Sequence, residues 1–445
     1  MSLRHRNGFR DAGIEWVDSL PTDWREGRLR WLARLYAGGT PNRADESFWT
    51  DGTIPWLNSG TVNQGLIKEP SAFITEDALA NSSARWVPAG ALVMALAGQG
   101  KTKGMVAQMG FTATCNQSMA AIVPRRGVDA RYVMWWLTAN YQNIRNMAGG
   151  DLRDGLNLDL LGDIGCPVPP TDEQQFIASF LDRETVKIDA LVDEQRRLIE
   201  LLKEKRQAVI SHAVTKGLDP SVPMKDSGFE WLGEVPEHWD LVSVGRSCEL
   251  LSYGFTNPMP TTDEGPYLLT ANDIGENVVA YETARRTSRE AFEQLLTDKS
   301  RPRRGDVLLT KDGTLGRLAV HDGRAACINQ SVAVLRPRQE VVPEFLANAL
   351  ASEPYQGRMI FEAGGTTIKH IYVSRLAKMP FALPPRQEMT RIAKFASEQR
   401  LKLDGLSRAA ADVEALLLER RAALISAAVT GEIDVRASEE GSRAA

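Results

Sequence analysis

At 445 residues, with 43% hydrophobic and 25% charged side chains, the chain has the composition of a globular protein and is too long for one ordinary core. A formal charge of −4 excludes a protein that coats nucleic acid through bulk positive charge, while leaving room for local basic surfaces. No run approaches the roughly 20 apolar residues of a membrane span, the N-terminus has no apolar signal-peptide core, and the cysteines Cys115, Cys166, Cys248 and Cys327 lack C-x-x-C spacing, so a cytoplasmic chain with buried free thiols, no metal site and no membrane contact is expected.

The first element is DAGIEWVDSLPTDW, residues 11–24, which returns as DSGFEWLGEVPEHW at 226–239, an offset of 215. Gly and Pro set its turns, and its tryptophans are expected to staple it onto a neighbouring domain or helix end. Residues 25–148 then read as a strand-rich module, with short apolar runs at 54–57, 91–96, 105–107 and 120–123 separated by turn residues, and an amphipathic helix at 130–143. Within it, GQGKTKG at 98–104 has the spacing of neither phosphate-loop fingerprint and reads as a lysine-bearing hairpin turn.

After PVPP, residues 171–215 form a long helix, with Thr171 and Asp172 available as caps. Leu181, Ile188, Gln195, Leu202 and Val209 recur every seven residues, and Leu191 and Leu198 fall at the companion apolar position. A second module, 241–363, follows the order of the first with a different sequence; Asn116, Gln117 and Ser118 match Asn329, Gln330 and Ser331. A second long helix at 386–430 repeats the first at the same offset of 215, with Leu403, Leu406, Val413, Leu417 and Leu424 on its seam. A duplicated helix with a one-sided seam is most simply satisfied by its own copy. The repeat is also circular, since the motif that follows the first helix has its second copy at residue 11; antiparallel packing of the helices satisfies this.

Catalytic constellations are missing from the pattern: the five histidines are dispersed, and there is no H-E-x-x-H, G-x-S-x-G or G-x-x-x-x-G-K-[ST]. Local cations are present instead. Lys101 and Lys103, Arg125 and Arg126, the run Lys299, Arg301, Arg303 and Arg304, and then Lys311 and Arg317 stand beside Gln, Asn, Thr and Asp. Cations of this kind hold phosphates and those polar side chains read base edges.

With GIEWVDSLPTDW and GFEWLGEVPEHW, PPTDEQQFIASFLDRETVKIDALVDEQRRLIELLKEKRQAVISHAVTKGLDP, GGTP with IPWLNSGTV, and GDVLLTKDGTLG with INQSVAVL, nearly the whole chain resembles the specificity (S) subunit of type I restriction-modification enzymes. The resemblance implies an α+β fold: two globular strand-rich α/β target-recognition domains separated by two long antiparallel helices that form an intramolecular coiled coil, as a pseudo-two-fold internal repeat. It divides the chain into an N-terminal repeat segment 1–24, recognition domain 25–150, linker and helix 151–225, the repeated Trp/Pro segment 226–240, recognition domain 241–365, linker and helix 366–435, and a disordered tail 436–445.

It further implies a non-catalytic subunit that binds double-stranded DNA, each domain reading one half of a bipartite asymmetric target while the helices set the spacer. Two modification (methyltransferase) subunits and the restriction/translocase subunits are the implied partners. S-adenosylmethionine, ATP and magnesium then belong to those partners, with no cofactor in this chain. The candidate DNA-binding set is Thr40, Ser59, Gln99, Lys101, Thr102 and Lys103 in the first module, and Tyr253, Thr270, Asn272, Lys311, Asp312, Thr314 and Arg317 in the second. Residues 116–118 and 329–331, shared by modules that would read different bases, are better placed as structural or backbone contacts. The second helical region is more Ala-rich than the first, which bears on how firmly partners dock. A stand-alone DNA methyltransferase and a coiled-coil scaffold that does not touch DNA are the alternatives; the first needs a cofactor loop, and the second leaves the diverged polar modules unexplained.

Overall fold

A computed structural model describes residues 4–6, 8–98, 100–147, 155–364 and 369–436. The chain forms two compact units, Met1–Glu194 with Val413–Ala445, and Gln195–Asp412. In the first unit a five-stranded sheet runs in the order Ala33–Ala37, Met119–Pro124, Leu92–Ala95, Val106–Met109, Leu66–Ile67, and a four-stranded sheet in the order Ala72–Ile74, Ile54–Leu57, Ala113–Cys115, Trp86–Val87. Leu92–Ala95 is buried along its whole length because both its faces are covered. Leu92, Met94, Ala120 and Ile122 enter a cluster with Val133 and Trp136 of the helix Ala130–Ala139. Val93, Ala95, Met119 and Ala121 enter another with Leu57, Val62 and Cys115. The helix expected at 130–143 is interrupted at Asn140, where a second helix, Tyr141–Asn146, starts.

The second unit repeats this plan. Its four-stranded sheet runs Cys248–Tyr253, Val332–Pro337, Val307–Thr310, Leu318–Val320, and a three-stranded sheet runs Arg285–Arg286, Thr262–Leu269, Ala326–Ile328. Val307, Leu309, Ala333 and Leu335 pack on the helix side, while Leu308, Val332 and Val334 pack on the other. The offset of 215 holds at the level of strand pairing: Arg25–Arg28 pairs with Gly165–Val168, and Asp240–Ser243 pairs with Pro380–Leu383.

The repeated tryptophans are anchors in both units. Trp24 and Trp239 are buried, and their Nε1 groups donate to Glu173 Oε2 at 3.3 Å and Glu388 Oε1 at 3.2 Å, carboxylates in the first turn of each long helix. Arg6 supports the first carboxylate and His238 the second, at 2.5 and 2.8 Å. Burial pushes the Glu173 carboxyl up, with the Arg6 guanidinium opposing it. Within the first unit, Arg4–His5 pairs with Ile433–Asp434, so the end of the second long helix does lie beside the N-terminal segment.

The long helices are Thr171–Lys216 and Arg386–Val429, and they are antiparallel within each unit. In the first, Tyr132 Oη lies 3.1 Å from the Pro167 carbonyl oxygen and 3.3 Å from that of Val429, and Arg421 holds Asp189 through two bonds of 2.8 and 3.2 Å. In the second, Arg206 reaches Asp404 at 2.7 Å, the repeat-equivalent pair. Leu181, Ile188 and Leu403 are buried, and Leu202, Val209, Leu417 and Leu424 half-buried, at the seven-residue positions. The companion stripe lies one residue further on than the sequence pattern placed it. Leu191, Leu198, Leu406 and Val413 are 45, 42, 48 and 43% exposed, while Thr185 and Val192 are buried and Ile199, Arg206, Arg400 and Arg421 half-buried. Residues three and four apart share a helix face, so Leu191/Val192 and Leu198/Ile199 offer two readings of one pattern, and the charged pairs between the helices select the second.

All four cysteines are free and buried, and burial pushes the Cys115, Cys166 and Cys327 thiols up to about 12 and Cys248 to about 11. Among the described residues no helix is long and apolar enough to cross a membrane. One buried group makes stability depend on pH. His321 Nδ1 accepts from the Gly323 N–H at 3.1 Å, which leaves the proton on the buried Nε2, for which no acceptor among the described residues completes a full hydrogen bond. Burial lowers its pKa from 6.5, against the opposing pull of Asp322, the Arg303 backbone and Asp306. An unfolded histidine takes up a proton more readily than this one, so the His321 contribution is full above about pH 6.5 and is lost as pH falls below it. Urea midpoints measured from pH 7.5 down to 5 should therefore decline less steeply in His321→Leu than in the parent chain; equal slopes would refute the assignment.

Candidate nucleic-acid interface

In the second unit four strands end at one rim. Leu269 lies beside Ile328 in parallel register, Thr310 opposite Val332 and Tyr253 opposite Ala333. The residues that follow are pinned by one turn, 329–331. The Ala271 N–H donates to Ser331 Oγ at 3.0 Å, the Lys311 N–H to the Ser331 carbonyl at 2.9 Å, and the Gln330 N–H to the Phe255 carbonyl at 2.8 Å. Ser331 Oγ in turn donates to Asn329 Oδ1 at 2.6 Å. This agrees with the structural part expected for that triplet.

Around this turn the structure brings together Tyr253, Thr270, Asn272, Lys311 and Asp312. The exposed Tyr253 ring has Lys299 Nζ 5.5 Å and Lys311 Nζ 5.4 Å from its centroid. Asp312 takes Lys311 Nζ at 2.7 Å on one oxygen and His370 Nδ1 at 2.5 Å on the other. Thr270 caps the short turn Ala271–Asp273 through Asp273, leaving Asn272 exposed. A groove of about 320 Å³ continues the rim past Asn257, Thr270, Arg285 and Gln330. Arg285 and His370 are the members that sequence order hides, being far from Lys311 along the chain, whereas Lys299 belongs to the basic run read from the sequence. Elsewhere in the basic run, Arg303 pairs with Asp298 at 3.0 Å, Arg301 packs over Phe292 at 5.4 Å and Arg304 is exposed. Thr314 and Arg317 line a separate cleft against the long helices.

The first unit presents the same rim with other residues. Its floor is Asn116, whose N–H donates to the Leu57 carbonyl at 2.9 Å, the counterpart of the Asn329 N–H on the Leu269 carbonyl at 3.1 Å. The half-buried Thr40 donates its hydroxyl to Gln117 Oε1, and Ser59 opens the short turn Ser59–Gln64 capped by Asn58. Arg43 lies 6.0 and 5.7 Å from the ring centroids of Trp49 and Trp56, which meet each other edge to face at 5.2 Å. Lys101 and Thr102 sit on the hairpin between Leu92–Ala95 and Val106–Met109, where Tyr141 donates to the Lys101 carbonyl at 2.5 Å. Lys103 is only 5% exposed, which removes it from reach of a phosphate. Gln99 lies outside the described residues.

These rims combine exposed ammonium, amide and hydroxyl groups over a stitched backbone, an arrangement suited to holding phosphates and base edges. Among the described residues no cluster of His, Cys, Asp and Glu could hold a metal ion.

The type I restriction modification DNA specificity domain family matches the chain over residues 21–201 and 261–401. The specificity subunit of the type I restriction enzyme EcoR124I/EcoR124II from Escherichia coli is 27% identical over 187 residues, 40% of this chain and 46% of that one. That of EcoBI, also from Escherichia coli, is 25% identical over 61% of this chain and 59% of its own length. The chain thus spans about half the length of these curated relatives, whereas the MjaVIII specificity subunit of Methanocaldococcus jannaschii, 20% identical, is matched over 94% of both chains. Among solved structures, a chain from a type I R-M system studied for complex assembly and conformational transition aligns over 93% of this chain and 99% of its own, with a TM-score of 0.70 at 20% identity. The HsdS subunit of Thermoanaerobacter tengcongensis aligns over 95% of this chain and 100% of its own, with a TM-score of 0.56 at 18% identity.

Proposed function

Since this chain belongs to the type I restriction-modification DNA specificity family, we propose that it is the sequence-reading subunit of such a complex, each unit's rim reading one half of a bipartite asymmetric DNA target. The observation that carries this reading is one backbone rim built twice and furnished differently: Thr40, Ser59, Arg43 and Gln117 in one unit, Tyr253, Asn272, Lys299 and Lys311 in the other. A duplicated frame with diverged tips is what two unlike half-sites require.

The long helices then set the number of unread bases between the half-sites and dock the methyltransferase subunits. Their surfaces favour docking. In the first unit Val186, Leu191, Val413, Leu416 and Leu418 are exposed, and in the second Leu198, Leu201, Leu401 and Leu406, more large apolar side chains than helices facing water usually carry. The partner subunits hold S-adenosylmethionine, ATP and magnesium, and this chain contributes recognition without catalysis.

The experiment is methylation mapping in cells that supply the partner subunits. Exchanging residues 25–148 for the corresponding module of another family member should change one half of the methylated sequence and leave the other half intact. A change in both halves, or in neither, would overturn the modular reading.

A further inference from the structure

We propose that the cleft in the Gln195–Asp412 unit, between the turn that follows Thr310 and the long helices, is a phosphate-binding site with Arg206, Arg317 and Arg400 as its cations. The cleft holds about 390 Å³, and Glu276, Asn348 and Gln356 complete its polar wall.

The three arginines are not in the same state. Arg206 is neutralised by Asp404 at 2.7 Å and Glu276 at 3.1 Å. Arg400 donates only to the neutral Asn348 Oδ1, at 2.6 Å, and no carboxylate among the described residues lies within ion-pair distance of it. Arg317 is exposed and likewise has no ion pair among the described residues. Two guanidinium groups at one cavity therefore have no directly paired carboxylate among the described residues, although Asp404 and Glu276 lie close enough to favour the charge of Arg400. Burial, then the Arg206 charge, disfavour the protonated form of Arg400, with Asp404 and Glu276 opposing them from a distance; an incoming oxyanion would offset the remaining cost.

The internal repeat supplies the control. Arg206 and Asp404 correspond to Arg421 and Asp189, which pair in the same way. Arg400 corresponds to Thr185, which is buried and donates its hydroxyl to the Leu181 carbonyl at 2.6 Å. The hairpin turns are equivalent as well. The Gly104 N–H donates to Ala95 and the Gly316 N–H to Thr310, with φ of +84° and +82°. After those glycines the first unit has Met105 and Val106, and the second has Arg317 and Leu318. In the first unit the space behind its glycine is a smaller, mainly apolar pocket of about 180 Å³ lined by Lys101, Gly104, Met105, Val106, Thr138 and Tyr141, with no residue of the long helices in its wall.

The first unit thus has threonine and methionine where the second has Arg400 and Arg317. A small threonine is enough to fill the helix seam, so an unpaired arginine there burdens the fold unless a ligand offsets it. Planar guanidinium groups match a tetrahedral oxyanion through paired N–H donors, and two unpaired cations suit a phosphate better than a single carboxylate. The phosphate is either a free ion or a phosphodiester of bound DNA.

The test uses the full chain with inorganic phosphate as the probe, against sodium chloride at matched ionic strength. Phosphate should raise the thermal midpoint of the parent by about 2–4 °C. Arg400→Thr, which installs the residue tolerated in the other repeat, and Arg317→Gln, which changes an exposed side chain and so keeps the test valid if the first variant folds poorly, should each lose at least half of that rise. Equal rises in parent and variants, no rise in the parent, or stabilisation by poly-glutamate but not by phosphate would overturn the proposal. Assembled with partner subunits on duplex DNA, Arg317→Gln should lower the salt slope of binding by about one if a DNA phosphate fills the cleft; an unchanged slope beside a lost phosphate response identifies the free ion. Because the phosphate titration needs no DNA, it can fail while the half-site reading stands.

Discussion

Replacing Gly254 with alanine should destabilise the Gln195–Asp412 unit by about 3 kcal/mol or more, because the added methyl has no empty space to enter. Its Cβ would stand 1.8 Å from the Ile328 carbonyl oxygen and 2.6 Å from that of Asn329. Both obstacles are backbone, so no rotamer change relieves them. The strand that ends at Tyr253 would have to leave its neighbour, breaking the Phe255 N–H bond to Ile328 at 3.1 Å and the seat of the 329–331 turn. Gly38 is the counterpart in the other unit, with its Cβ 2.1 Å from the Cys115 carbonyl oxygen. Gly357→Ala is the control: it lies in the helix Glu353–Glu362 with nothing within 4 Å of its Cβ, and should be neutral or stabilising by up to about 1 kcal/mol. Urea unfolding of the three chains decides it. Matching midpoints for Gly254→Ala and Gly357→Ala would show that the strands are not as tightly apposed as described.

Trp239→Ala should cost about 3–5 kcal/mol, the range for emptying a buried aromatic site. The ring is fully buried, meets Phe345 edge-on at 6.2 Å and donates to Glu388 at 3.2 Å, so its loss opens a cavity and takes a donor from a carboxylate that, among the described residues, is then left with the His238 side chain. Trp239→Phe separates the two effects: it retains most of the packing and forfeits the hydrogen bond to a charged acceptor, about 1.5–3 kcal/mol. Circular-dichroism melts of both variants provide the check. A loss below about 1 kcal/mol for Trp239→Ala would mean that the repeated segment is not an anchor.

Much of the architecture was legible because the chain states it twice. The offset of 215 holds for the paired strands at 25–28 with 165–168 and 240–243 with 380–383, which the apolar runs did not reveal, and for both tryptophan–glutamate contacts, of which the sequence showed only the tryptophan staples. The strand at 54–57 was legible from its apolar run bounded by turn residues. The companion seam stripe was not, since leucine and a β-branched residue stand side by side at 191/192 and 198/199 and only the facing helix chooses between them. At the rims, Lys299, Lys311 and Asp312 announced themselves by type, whereas His370 and Arg285 reach the same patch from distant segments. Lys103 misled for the converse reason: a lysine in a polar loop gives no sign that the chain around it closes over it.

The composition of the first core has a consequence for how the chain matures. That core includes Ile425, Ala428, Val429, Ile433 and Val435 beside Leu20 and Trp24, while the other unit is continuous from Gln195 to Asp412. On a ribosome the second-encoded unit has all its residues once position 412 has emerged. The first-encoded one must wait, its apolar faces uncovered, until the last turns of the second helix arrive, so the half that is synthesised first is the half that finishes last.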